Sequence, residues 1–335
     1  MTYRRRMDDV LPWLLGGDPA IRWQVLADLA DAAPEEVAAE RAKVATEGWG
    51  ARLLTEQADD GRWDDGVYRP GWVDERRPFF DAWTATHFSL ETLRDLGADP
   101  DSPAVRLAAS RVRDLVPWDH GGRPYFEGET EPCVNGTALA SAAYFGMGGD
   151  EIVRTLLDRH LPDGGWNCWA EGPDTPSSFH STICVLEGLL AWEQAGGTSA
   201  EAHEARIAGE EYLLERRLLR RRSTGEPIDP RFAMPAFPTR WYYDVLRGLE
   251  YFRRARPERD ARCAEAVGLI RDRRLPDGRW RLEQFRMGPV FFEFEDEGFP
   301  SRWITLRALR VLRWWDGQTA SSSQDAEPAS SVSTP

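Results

Sequence analysis

The chain has 335 residues, 41% of them hydrophobic and 15 of them tryptophan, which is enough for a sizeable core, and its net charge is −14. That charge argues against nucleic acid as the main partner. A mean hydropathy of −0.53, with no apolar run of about 18 residues, excludes an integral membrane protein.

The opening MTYRRRMDD is basic with no apolar stretch behind it, and WLLGG from Trp13 is too short for a signal segment, so the expected location is the cytoplasm. Four irregularly spaced cysteines then suggest thiols or metal ligands rather than a disulfide frame. GGDPAIRWQVLADL predicts a helix with Asp18 as N-cap and Pro19 in its first turn. Residues 1–44 are expected to form N-terminal capping helices.

From residue 45 to 316 the chain repeats itself. LLTEQADDGRW (Leu53 to Trp63), LLDRHLPDGGW (Leu156 to Trp166) and LIRDRRLPDGRW (Leu269 to Trp280) each join an apolar helix end to an Asp-Gly turn and a tryptophan. Five helical patterns align beside them, from Asp81, Glu131, Ser177, Phe237 and Phe299. Their shared register places Leu90, Leu139, Leu186, Leu246 and Leu306 in the core, with small residues at Thr92, Ser141, Gly188, Gly248 and Ala308 that let neighbouring helices approach. Second helices, such as Asp150 to Leu161, end in the turn phrase. Weaker turns at 120–122 and 223–225 complete about five helix pairs, at the ~40–60 residue spacing of helical repeat arrays. The basic stretch Arg216 to Gly225 reads as a solvated helix end. FFEFE (Phe291 to Glu295) is the one strand candidate, so the predicted class is all-α. From Gly317 to 335 the Ser/Ala/Pro-rich sequence predicts a disordered tail.

The turn phrase resembles the QW motif of the terpenoid cyclase and protein prenyltransferase superfamily over about residues 45–316. The resemblance is sharp in the Asp-Gly-x-Trp portion and weaker at the glutamine, which is Gln57 in the first copy but His160 and Arg274 in the others. It implies an α/α toroid, a single barrel of about five inner and outer helix pairs with the substrate in a central cavity. Gln57, Trp63, Trp166 and Trp280 are then architectural.

A second resemblance concerns chemistry. Protein prenyltransferase β-subunits hold zinc through an Asp-x-Cys at one inner helix start and a His opening a later helix. This chain has Glu131-Pro132-Cys133 and then His180-Ser181-Thr182-Ile183-Cys184-Val185-Leu186-Glu187-Gly188-Leu189, with Glu in place of Asp. Cys133 and His180 align at one position of consecutive helices. Cys168, in GGWNCW, enters at the same end and is a further ligand candidate, as in lanthionine cyclases, which share the toroid. Carboxylate, thiolate and imidazole all suit Zn²⁺, and three protein ligands leave a catalytic position open. The expected metal shell is Glu131, Cys133, Cys168 and His180. Cys184 and Cys263 read as packing.

No Asp-x-Asp-Asp run is present; Asp59-Asp60 and Asp64-Asp65 are the nearest carboxylates. Only Arg123 precedes the Glu-Pro-Cys where a diphosphate would need cations, while Arg240 and Arg302 stand at later helix starts. Aromatics gather at the same starts: Phe79, Phe80, Trp83, Trp169, Phe179, Trp241, Tyr242, Tyr243 and Trp303. Such a lining suits a hydrophobic ligand and stabilises carbocations. Asp81, His87 and Asp244 are acid/base candidates near the rim.

The leading expectation is a zinc-dependent enzyme acting on a hydrophobic, isoprenoid-like substrate, with His180, Cys133, Asp64 and Asp244 as catalytic candidates. Trp83, Trp169, Phe179, Arg240, Trp241, Tyr243, Arg302 and Trp303 are the expected substrate contacts. One alternative is a metal-free, squalene-cyclase-like enzyme using Asp64 or Asp65. Another is a non-catalytic toroid that binds a lipid or a protein partner.

Overall fold

Helix boundaries follow local chemistry. Asp18 is extended and its side chain accepts from the Ala20 N–H, with Pro19 entering the first turn behind it. Proline opens helices in the same way at Pro34, Pro103 and Pro132. Two helices end at a glycine in the left-handed region, Gly97 and Gly146.

The computed structural model describes residues 3–74, 82–172, 174–256, 258–284 and 286–321. In chain order its helices are α1 (Tyr3–Leu15), α2 (Pro19–Asp28), α3 (Pro34–Ala42), α4 (Gly48–Thr55), α5 (Thr86–Leu96), α6 (Pro103–Leu115) and α7 (Pro132–Phe145). There follow α8 (Asp150–Asp158), α9 (Phe179–Gln194), α10 (Ala200–Glu215), α11 (Val245–Ala255), α12 (Ala264–Asp272) and α13 (Arg302–Ser321). Among the described residues the only sheet is a two-residue antiparallel pair, β1 (Trp280–Arg281) with β2 (Pro300–Ser301). The class is all-α. No helix among them is long and apolar enough to cross a membrane.

Helices α5, α7, α9, α11 and α13 pack successively against one another, and α13 packs on α2. Helix α2 in turn reaches α5, where Trp23 Nε1 donates to the Leu96 carbonyl at 3.0 Å and Gln24 Nε2 to the Asp95 carbonyl at 3.3 Å. The N-terminal segment is therefore part of this series of contacts as well as a cap on it. The five register leucines, Leu90, Leu139, Leu186, Leu246 and Leu306, are each fully buried. Close approach centres on α7 and α9: a Cβ added at Gly188 would lie 2.4 Å from the Gly136 carbonyl oxygen, so only glycine fits there.

The three turn phrases make the same two bonds. Each tryptophan donates its indole N–H to a carbonyl ten residues earlier: Trp63 to Leu53 and Trp166 to Leu156 at 2.8 Å, Trp280 to Ile270 at 2.7 Å. Each backbone N–H goes forward to a threonine in the first turns of the next interior helix: Thr86 and Thr182 at 3.1 Å, Thr305 at 3.0 Å. The Asp-Gly glycines Gly61, Gly164 and Gly278 all have φ near +90°. Gln57 adds donations to the Gly61 and Ala108 carbonyls, both 3.0 Å, tying α4 to α6.

Three expectations need correction. FFEFE forms bends and no strand. The Glu295 carboxylate accepts from the N–H groups of Arg302 and Trp303 at the start of α13, while Phe294 packs edge-on against Trp49, and these ties hold the segment out of a sheet. The helix expected from Phe237 begins at Val245, because Pro238 and Arg240 (φ +54°) interrupt it and Asp244 caps it. Helix α13 runs to Ser321, past Gly317, and residues 322–335 lie outside the described residues.

Candidate metal centre

The first turn of α7 and the loop after the second turn phrase meet at one end of the interior helices. Pro132 starts α7 and leaves Glu131 extended in front of it, so Glu131 and Cys133 project from adjacent positions. The bonds of Trp166 fix the loop carrying Cys168, and Ser181 on α9 holds it further: Cys168 N donates to Ser181 Oγ at 3.2 Å, and Ser181 Oγ donates to Cys168 Sγ at 3.3 Å. The result is that ligand atoms of Glu131, Cys133 and Cys168 all lie within 4.8 Å of one another. The two sulfurs are 2.9 Å apart and Cys133 Sγ is 3.9 Å from Glu131 Oε2.

Cys168 is the more acidic thiol: its sulfur accepts from Cys133 Sγ, from Ser181 and from the Cys133 backbone N–H at the helix start, which together lower its pKa despite burial. Cys133 is pushed up by its bond to Cys168 and by burial, and Glu131 by burial and by Glu129. The neighbours that raise these values are acidic groups themselves. A carboxylate and two thiols that converge in this way are donor types that a divalent cation such as zinc takes.

Tyr68 belongs to the same place, although no sequence motif marks it. Burial, then the charges of Cys133, Glu131 and Cys168, push its phenol well above its usual range. Its ring lies 5.3 Å from His87 and 5.1 Å from Phe88 on α5.

His180 does not join the three donors. Its Nδ1 accepts the Tyr243 backbone N–H at 2.8 Å, so the neutral ring carries its proton on Nε2 and offers a metal no free lone pair. Burial, then Arg286 and Arg247, hold its pKa down to about 4. The ring packs edge-on against Phe232, Trp241 and Tyr242.

The other expected residues divide by place. Asp64 accepts from Trp72 Nε1 at 2.6 Å and from the Thr84 hydroxyl, a turn-holding role. Asp244 is wholly buried as the α11 cap, accepting from Arg247 N at 2.9 Å and Ala236 N at 3.2 Å. Trp169 is 79% exposed on its loop, away from any lining. Phe179 and Tyr243 are core, their rings 4.9 Å apart, and Tyr243 donates to the Leu218 carbonyl. Arg302 turns outward onto Trp13. Trp83, Arg240, Trp241 and Trp303 remain in the interior, Arg240 5.5 Å from the Trp83 ring. Cys184 and Cys263 are fully buried. Phe79, Phe80 and Asp81 lie outside the described residues.

Beneath the centre runs an interior charge network that the sequence gives no sign of. Arg247 grips Glu187 at 2.6 and 3.1 Å and donates to the Arg240 and Tyr242 carbonyls, both 2.7 Å. Arg240 lies 4.0 Å from Glu91, whose two oxygens have no hydrogen-bond partner. His87 and Tyr125 pair at 3.0 Å beside them.

No family model and no curated protein matches the chain. A solved structure of a protein from Actinoplanes is similar over 92% of this chain and 97% of that one, at 18% identity and a TM-score of 0.43.

Proposed function

We propose that helices α2, α5, α7, α9, α11 and α13 form the inner ring of an α/α toroid, and that the chain is a zinc-dependent enzyme of the terpenoid cyclase and prenyltransferase type acting on a hydrophobic substrate. The observation that carries the reading is the convergence of Glu131, Cys133 and Cys168 within 4.8 Å at one end of the interior helices. Zinc, when bound, supplies Lewis-acid chemistry at the position that three protein donors leave open.

The chain's own residues do the rest. Ser181 orients Cys168, and its hydroxyl and the N–H at the α7 start both help to lower the pKa of that thiol. Tyr68, whose phenol burial and the nearby Cys133 and Glu131 push well above its usual range, stays a neutral polar group beside the donors. Trp83 and Phe88, 4.9 Å apart and nearly perpendicular, give an apolar wall that favours a hydrocarbon over water. Asp64 is tied into its turn, so we assign it no protonating role.

Elemental analysis of the purified protein tests this. Near-stoichiometric zinc is expected, lost in Cys133→Ala and Cys168→Ala and retained in His180→Ala. Equal metal content in the wild type and both cysteine variants would overturn the centre.

A further inference from the structure

The far end of the same interior helices encloses a cavity of about 530 Å³. It lies among the C-terminal halves of α5, α7, α9 and α11, with α2 and α13 on its other side. Seven arginines line it against three carboxylates, Asp95, Glu187 and Glu250, in a chain whose net charge is −14.

Most of these arginines are held. Arg94 pairs with Asp95 at 2.9 Å and Arg247 with Glu187 at 2.6 Å. Arg307 and Arg310 share Glu250 at 2.7 and 2.9 Å, and Arg41 donates to the Gly97 carbonyl and the Tyr144 hydroxyl. Arg253 and Arg254 make no ion pair among the described residues, and the buried Arg253 Nε has no acceptor. Trp303, 1% exposed, also lines the cavity, and its indole N–H has no acceptor either. Buried donors without acceptors are uncommon and call for a missing partner. Phe237, stacked on Trp303 at 4.0 Å, completes an aromatic wall.

We propose that this cavity binds a small molecule carrying a phosphate or diphosphate group. Guanidinium forks match phosphate oxygens bidentately, and the Trp303 N–H adds a neutral donor. The Trp303–Phe237 wall takes an apolar or planar body attached to the anion. The site stands independently of the metal centre at the other end. The competing account is that the arginines only balance the negative ends of the converging helices.

Calorimetric titration with pyrophosphate and with inorganic phosphate at constant ionic strength separates the two, with citrate as a charge control. Saturable binding of pyrophosphate or phosphate is expected, with a rise in Tm. The double variant Arg253→Gln/Arg254→Gln should bind roughly tenfold or more weakly, as losing charge-assisted bonds implies. Its ligand-free stability and its metal content should be unchanged. Arg123→Gln, at an exposed position elsewhere, should bind like the wild type. If the double variant does not fold, Arg254→Gln alone, at an exposed position, carries the same comparison. Absent saturable binding, unchanged binding in the arginine variants, citrate binding as tight as pyrophosphate, or a loss of ligand-free stability in Arg254→Gln itself would each overturn the proposal.

Discussion

Glu91 is 1% exposed on α5, with neither oxygen hydrogen-bonded and Arg240 4.0 Å away. Burial, then Asp95, raises its pKa to about 7 from an ordinary 4.5. Between those values the folded protein binds more protons than the unfolded chain, so this group lowers stability as pH rises from about 4.5 to 7. The slope is on the order of 1.4 kcal/mol per pH unit at most. Glu91→Gln should remove it, so urea midpoints of wild type and variant should diverge above pH 7 in favour of the variant and converge below pH 5. An unchanged difference across that range would show that Glu91 does not titrate there. His87 acts in the opposite sense: burial holds it to about 3, so its contribution is lost as pH falls from about 6.5 toward 3. At the proposed metal centre, Ser181 touches Cys168 on both N–H and sulfur without belonging to the three donors. Ser181→Ala is expected to weaken zinc by about 10–100-fold in chelator competition while leaving its stoichiometry intact. Glu131 and Cys133 could be read from the sequence because their residue types and their place at a helix start are local facts, and Cys168 because it follows a turn phrase that points it to the same end. The exclusion of His180 could not, because it depends on a backbone N–H 63 residues away.

The repeating element is the end of α4, α8 or α12 with its turn and the start of the helix that follows, α5, α9 or α13. Its tryptophan was visible because Asp-Gly-x-Trp is contiguous. Its threonine partner was not, because Thr86, Thr182 and Thr305 lie 16 to 25 residues on, across loops of different length. The bond from Trp166 N to Thr182 is buried, so Thr182→Val leaves an N–H without an acceptor and should cost about 1–3 kcal/mol in denaturant unfolding. Thr182→Ser should recover most of that loss. No loss in Thr182→Val, or a larger loss in Thr182→Ser than in Thr182→Val, would mean that the hydroxyl is not what holds the turn. The failed strand at FFEFE shows the limit of reading period alone: Phe-Glu alternation fits a half-buried strand, yet Glu295 is engaged as a helix cap.

At the scale of the molecule, the leucine register predicted burial at all five positions, since it depends only on helical period and a shared core. An N-terminal helix was expected to close the array, but the residues that join it to α13 were not legible, as nothing in either helix names the other. Among them is Arg310, which meets Gln24 at 2.7 Å, Asp28 at 3.0 Å and Glu250 at 2.9 Å, and Arg313 adds a bond to the Asp28 carbonyl. Arg310→Met should destabilise by about 1–3 kcal/mol, because Glu250 and Asp28 lose a shared partner while Glu250 keeps Arg307. Thermal unfolding of that variant is the check, and a loss under about 1 kcal/mol would make the contact incidental.

The Arg310–Gln24 pair spans 286 residues, whereas each indole bond spans 10. Closing a longer loop carries a greater entropy loss, growing as the logarithm of its length, so the short ties form first and the long one last. On the ribosome, α2 emerges 286 residues ahead of the arginine that ties α13 to it. The surface of α2 that α13 covers therefore stays open to the cell until α13 has been made, and chaperone demand for this segment is greatest in that interval.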